Sequence, residues 1–371
     1  MFGFKFGGGS KKGIGIEITS ERVNLVQLRR KGQSGYKLVS FGSAEIPEGT
    51  VEEGRIIDHV ILGEVIRGLL VEKKIKVKKV ATAIPGRETV SRLIRLPAEI
   101  PENELREMIL NQEASLYLPF PREDADVDYQ KLGTALDEDG IERTEILMVA
   151  TPKEVTDSYL LAIENAQLQV DVVEVSSFAL IRSLHNELAR FSTAAESVAI
   201  VDIEYEGTEI TVTVDGVPQF SRTFPIGTVQ IQNAQMRAMN MPQRRTTDLE
   251  LLSNMSVPIQ SIDTAGLAGS MGGTTPGDAA ILRIIGDLSD ELRRSIDYYT
   301  SQSPGSDVVQ ILITGPGACI GQLDEFFSQR LGLATTVIDP LVVLGITADR
   351  ELAVEERMGL SIVLGLGLRE V

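Results

Sequence analysis

Ile200 to Gly227 reads IVDIEYEGTEITVTVDGVPQFSRTFPIG, and the turns inside this stretch decide the fold. Val198 to Ile203 is a short apolar run that reads as a buried strand. A tight polar turn, Glu204 to Gly207, follows it. Ile210, Val212 and Val214 then alternate with polar residues, so they share one face of a second strand. Asp215-Gly216 supplies a two-residue turn whose backbone favours positive φ, and a third strand returns through Phe220 and Phe224. Asp202 stands at the end of the first strand, where the chain turns back.

The start of the chain repeats this pattern. Ile14 to Ile18 is a short apolar strand carrying Glu17, Thr19 to Arg22 is its turn, and Val23 to Leu28 is the return strand. A polar loop, Lys31 to Gly35, leads to a third strand over Tyr36 to Phe41. Two strand-acid-turn-strand units in two halves of one chain imply a duplicated α/β fold whose hairpins face each other across a cleft. Two unrelated hairpins would give the same local pattern.

Composition narrows the function. A length of 371 residues with 43% hydrophobic content suggests two or three domains with ample core. With 36 basic against 53 acidic residues the net charge is −17, a field that repels a phosphate backbone unless a local basic patch exists. Aromatic content is 5% with no Trp, so no stacking platform for nucleic acid is evident. One cysteine, Cys319, excludes an internal disulfide and suits a reducing cytoplasm. With only His59 and His185 beside it, a dedicated zinc site has too few ligands. No run of about 18 apolar residues offers a membrane span. The opening MFGFKFGGGSKK lacks the apolar core of a signal peptide and reads as a frayed tail or as a contact with a membrane surface.

Along the chain, a helix is expected over Asp58 to Glu72 from the spacing of Ile61, Leu62, Val65, Ile66 and Leu69. Lys73 to Lys79 carries five lysines and reads as a solvated loop at the entry to a strand, Val80 to Ile84, or as an anion site. Residues 80–173 then form an inserted α+β unit: a strand, a helix over Glu102 to Leu116 stopped by Pro119 and Pro121, two strands around Asp137 to Gly140, a helix and a strand. Ser176-Ser177 would cap the following helix. Beyond the central hairpin, residues 244–278 are polar and read as a flexible loop, most clearly over 265–277. A long helix over Ala279 to Thr300, a buried strand at Val308 to Ile313, the turn Thr314-Gly315-Pro316-Gly317, and a final Gly-rich helix over Met358 to Leu368 complete the chain.

This order resembles the actin-like nucleotide-binding fold, two lobes around a cleft. Glu17-Ile18-Thr19 stands where the first phosphate hairpin carries an acid-x-Gly pattern. Asp202 and Thr208 fit the second hairpin, with Glu204 in the glycine slot, and Gly315 and Gly317 occupy the turn under the adenosine. Within that fold the chain is similar to the PilM family of type IV pilus assembly, on Glu113-Ala114 with Tyr117-Leu118-Pro119-Phe120-Pro121, on Glu291 to Ser295, and on the closing Leu364 to Arg369. The insertion resembles the SHS2-like subdomain shared with the division protein FtsA. The resemblance implies an N-terminal tail at 1–12, a first lobe at 13–79, the insertion at 80–173, and a connecting helix at 174–196. A second lobe at 197–345 and a return to the first lobe at 346–371 follow.

It further implies ATP and Mg²⁺ at Glu17, Thr19, Ser20, Asp202, Glu204, Thr208, Gly315 and Gly317, with Glu17 and Asp202 reaching the metal through water. Glu291 and Arg294, one helical turn apart, would lie near the ribose and base or form a surface ion pair. Thr19 and Glu204 replace phosphate-turn glycines, Asn24 stands where relatives carry Lys, and Pro316 removes a donor. Nucleotide binding is therefore expected to be weakened, and with no water-activating residue in view no enzyme is read. The expected role is a cytoplasmic scaffold held at the inner membrane by the tail of PilN, and through it PilO, with pilus-machinery ATPases as further partners and a part in twitching motility. Leu116, Tyr117 and Phe120 would line the peptide groove or pack in a core. The alternative is an actin-like ATPase or filament former of the FtsA type. For that, no linker to a C-terminal amphipathic anchor follows the last helix.

Overall fold

A computed structural model describes residues 14–32, 35–137, 140–191, 196–259, 275–303, 305–348 and 351–369. The expected tail at 1–12 and most of the loop expected at 265–277 lie outside these residues.

Two sheets are built the same way. In the first, Ile14–Ile18, Arg22–Lys31 and Gly35–Glu45 form an antiparallel meander. Lys79–Ile84 pairs parallel to its first strand, and Gln169–Val175 pairs parallel to that. In the second, Glu196–Ile203, Thr208–Val214 and Val217–Phe224 form the meander, and Asp307–Thr314 and then Ala334–Val337 add in parallel. Both sheets thus read third-second-first-fourth-fifth strand across, and the first gains an edge strand, Thr347–Ala348. A shared strand order across five strands is what a duplication leaves, and two unrelated hairpins would not produce it. Asp215 and Gly216 take φ of 49° and 71°, the positive values that the hairpin turn needs.

Strand alternation sorts each sheet between two cores. Ile14, Ile16 and Ile18 face the first lobe's own core under the helix His59–Glu72, which Asp58 caps through Val60 and Ile61. Ala199, Val201 and Ile203 face the second lobe's core under the long helix Pro276–Gln302. The opposite faces, with Ala81 and Ala83 from one sheet and Val198 and Ile200 from the other, meet around the helices Ser176–Ser183 and Ser361–Gly367. This shared core joins the lobes. Glycine permits its closest contacts: a Cβ on Gly365 would stand 1.9 Å from the Ala179 carbonyl oxygen, and one on Gly15 would stand 2.5 Å from that of Val363.

Several expectations are corrected. The strands at both ends of the 80–173 unit belong to the first sheet, because their apolar residues complete its core, and the helix Lys153–Asn165 buries Val155, Tyr159 and Ile163 there too. The segment that leaves the first lobe is the shorter stretch from Pro85 to Pro152. Its strands Val90–Pro97, Glu142–Pro152 and Ala125–Leu136 form a separate sheet. One face is covered by a helical run from Glu102 to Tyr117 that widens to a π turn at Met108–Glu113. The other face turns Leu132, Leu147 and Val149 toward Val175 and Phe178. Residues 244–259 are not a loose loop: Leu252, Met255 and Val257 are buried in the second core, and Leu249–Asn254 is helical. Pro276 and Gly277 open the long helix, capped by Thr275. Ser176 and Ser177 lie inside their helix and do not cap it. The closing helix is two pieces, Val354–Met358 and Ser361–Gly367.

Candidate functional site

Glu17 and Asp202 are each the penultimate residue of the first strand of their sheet. Each lies on the face opposite its lobe's own core, so both acids point between the lobes. They line one cavity with Thr19, Ser20, Ser176, Glu204, Glu206 and Glu209, roofed by the Pro85-Gly86-Arg87 turn. The first lobe, the second lobe and the root of the insertion all contribute to it.

The carboxylates dominate its chemistry. Burial lifts Glu17 to about 7, partly offset by a hydrogen bond that Asn24 Nδ2 donates at 3.2 Å. Asp202 is held well above the carboxylate range by burial and then by the charges of Glu17 and Glu209. Glu204 is raised well above its ordinary value by burial, then by Asp202, Glu17 and Glu21. Glu209 is raised by burial, moderated by bonds from Ser221 (2.7 Å), Thr211 and Ser176. Asp202 Oδ1 is buried and accepts no hydrogen bond. Among the described residues, no group of three or more His, Cys, Asp or Glu side chains converges as a metal site, so Glu17 and Asp202 lack a third protein ligand.

The turns that should cradle phosphate are engaged with themselves. Thr19 Oγ1 accepts the Arg22 N–H at 3.1 Å and the Glu21 N–H at 3.4 Å, so the hydroxyl that replaces glycine occupies two of the donors. The Glu204 N–H bonds the Gly207 carbonyl at 2.9 Å. Thr208 is fully buried and donates to the Ile226 carbonyl at 2.6 Å. Across the cleft, Ser20 Oγ donates to Glu206 Oε2 at 2.5 Å, and Arg87 meets the same oxygen at 3.5 Å. Glu21 accepts the Thr247 N–H, and Arg245 pairs with Glu48, so further links run from lobe to lobe.

Gly315 and Gly317 are needed where they stand, for a reason other than a nucleoside. Gly315 has φ of 83°, and a Cβ there would meet Asp202 Oδ1 at 2.6 Å. A Cβ on Gly317 would meet Ile203 Cγ2 at 2.3 Å. The turn therefore seats the end of one strand on its neighbour, and neither glycine lines the cavity. Glu291 and Arg294 lie outside the cavity as well. They form an ion pair on the exposed side of the long helix, and Arg222 joins Glu291 at 3.3 Å. That is the surface alternative. The enclosed space is about 90 Å³, well under the about 300–1,000 Å³ typical of a ligand site. With the lobes in this arrangement the cleft is narrow, and five carboxylates line it.

Of the groove residues, Leu116 is 73% exposed, Tyr117 is 40% exposed and Phe120 is half-buried. Core packing does not account for the first two. They end the helical run that covers the inserted sheet. The strand Lys79–Ile84 is interior to the first sheet.

The residues that sequence reading missed are Glu209, Ser176, Glu206 and the Pro85-Gly86-Arg87 turn. A signal existed for two of them. Glu209, Thr211 and Thr213 make one face of a strand polar although the strand is buried, which marks a cleft side. Pro85-Gly86 follows the fourth strand of its sheet as Gly315-Pro316 follows the fourth strand of the other.

Against known proteins, the family described as type IV pilus assembly protein PilM matches residues 15–249 and 282–371. Among solved structures, a PilM-PilN type IV pilus biogenesis complex matches with TM-score 0.76 and 22% identity over 97% of this chain and 98% of that one. The ethanolamine utilization protein EutJ from Carboxydothermus hydrogenoformans matches at 0.52 and 13%, over 98% and 90% of the two chains. MreB5 of Spiroplasma citri, bound to ADP, matches at 0.50 and 10%, over 90% and 95%. These likenesses place the two-lobed architecture among actin-like folds.

Proposed function

Because the chain belongs to the PilM family of type IV pilus assembly proteins, we propose that it is an assembly scaffold that takes the tail of PilN at the cytoplasmic face of the inner membrane. Through PilN it would connect to PilO. The observation that carries this reading is the pair of exposed apolar side chains, Leu116 and Tyr117, at the edge of the inserted sheet. An exposed Tyr beside an exposed Leu offers a short peptide an apolar contact, and Tyr is a residue type that recurs among binding hot spots. The cleft does not drive the reading. Its self-bonded turns and clustered carboxylates favour weak nucleotide binding or none, and we assign no hydrolytic step to it.

Titration calorimetry of the purified chain with a synthetic PilN tail peptide, with and without MgATP, tests both halves. Peptide binding of equal strength in both conditions is the expected result. Leu116→Asp should weaken it at least tenfold, about 1.4 kcal/mol, while leaving stability within about 0.5 kcal/mol because the side chain is exposed. Binding that requires MgATP would overturn the view of the cleft, and no peptide binding would overturn the scaffold.

A further inference from the structure

The end of the first sheet opposite the cleft is basic on an otherwise acidic protein. Ile14, which starts the central strand, pairs with Gln27 on one side and Val80 on the other. Past that row the hairpin Arg22–Lys31 to Gly35–Glu45 runs on for four more pairs, Leu28 with Leu38 through Lys31 with Gly35. At about 3.3 Å per residue this projects about 13 Å beyond the sheet. The projection carries Arg29, Arg30 and Lys31, all exposed, with Lys37 opposite Arg29. The turn that enters the neighbouring strand adds Lys74, Lys76 and Lys78, also exposed.

Two segments of this pole carry no carboxylate. Residues 22–44 contain no Asp or Glu, and neither do residues 73–87. Glu72 and Asp171 pair with Lys73 and Lys79. Among the described residues no carboxylate forms an ion pair with Arg29, Lys31, Lys74, Lys76 or Lys78. The acidic cleft, at Ile18 to Glu21, sits at the other end of the same strands. A chain of net charge −17 with a cluster of cations at one end is an electric dipole, and that end is the one an anionic surface attracts.

We propose that this pole docks on anionic phospholipid. Clustered lysines and arginines on one face are what a negatively charged leaflet attracts. Apolar groups accompany them: Val71 is 73% exposed beside the lysine turn. A nucleic acid fits less well, since a long polyanion would also run past the acidic second lobe.

The test is flotation of the full chain with phosphatidylcholine vesicles, with and without phosphatidylglycerol, in the absence of any partner peptide. Binding to the anionic vesicles alone is expected, falling at least tenfold as salt rises from about 0.05 M to about 0.5 M. The variants R29E/R30E/K31E and K74Q/K76Q/K78Q should each lose at least tenfold of that binding while keeping the melting temperature. The second, which changes only an exposed turn, stands if the first fails to fold. Equal binding to neutral vesicles, no binding, unchanged binding by the folded variants, or tighter binding to duplex DNA than to vesicles at equal salt would each overturn the proposal. None of these outcomes depends on the PilN reading.

Discussion

Glu17 shows how a single side chain carries the history of this cleft. Its strand is apolar, its face points between the lobes, and its nearest partner is the uncharged Asn24, which itself accepts a bond from Ser43 at 2.7 Å. A carboxylate buried with no cation beside it holds its proton. Because the folded state raises this group from 4.5 to about 7, folding is favoured by it below pH 4.5, and that contribution is lost as pH rises through 7. The penalty above that range is on the order of 3 kcal/mol. Glu17→Gln should therefore raise the melting temperature at pH 8 by several degrees and leave it unchanged at pH 4. Calorimetric melts of both proteins at the two pH values check this, and an equal shift at both would show that the carboxylate's charge is not the cause. Thr19 makes a second point at this level. Its identity could be read in the sequence as a lost glycine, but only the folded turn reveals that its hydroxyl occupies the N–H groups phosphate would use.

Among elements, the helix Ser361–Gly367 depends most on residue size. It lies against the first strand at Gly15 and against the helix Ser176–Ser183 at Ala179, so its glycines set how closely backbone meets backbone. Gly365→Ala puts a methyl 1.9 Å from a carbonyl oxygen that neither helix can withdraw. The expected cost is about 3 kcal/mol or more, read from a denaturant midpoint, whereas Gly68→Ala, with open space around it, should be neutral or stabilising. Just beyond this helix Arg369, with Arg182, grips the buried Glu174, two guanidinium groups on one carboxylate. The sequence marks the closing stretch as apolar and glycine-rich. Which glycine meets which neighbour depends on two helices 180 residues apart in the chain, and no local pattern encodes that.

For the whole molecule, the lobes are held together by a shared apolar core and by direct links across the cleft mouth. Glu206 is the centre of those links, bonded to Ser20 and facing Arg87 from the opposite lobe. It bridges the two turns, so the mouth of the cleft is tied by the protein's own carboxylate. Glu206→Ala should raise the radius of gyration in solution scattering, with a stability loss of at most about 1 kcal/mol because the pair is partly exposed. An unchanged scattering profile would show that the core helices alone set the lobe angle.

Residue order was enough to place the two acids, the hairpin turns and the helix His59–Glu72, because each rests on short-range periodicity or on turn chemistry, whereas the duplication was decided by the strand order that the two sheets share. It also carried the resemblance that the family match bears out. The limits of the insertion could not be read that way. An apolar strand looks alike whichever sheet it completes, and Lys79–Ile84 and Gln169–Val175 join the first sheet only through pairing with Ile14–Ile18. The buried stretch around Leu252 and Val257 was hidden for a similar reason, since scattered apolar residues in a polar segment find their core only after the chain has folded back. The place of Glu291 and Arg294 was decided by Arg222, a cation on another strand. Tertiary structure also decided the charge map: two acid-free segments became one basic pole, and five scattered acids became one cleft, because strands side by side bring distant residues to the same end of a sheet.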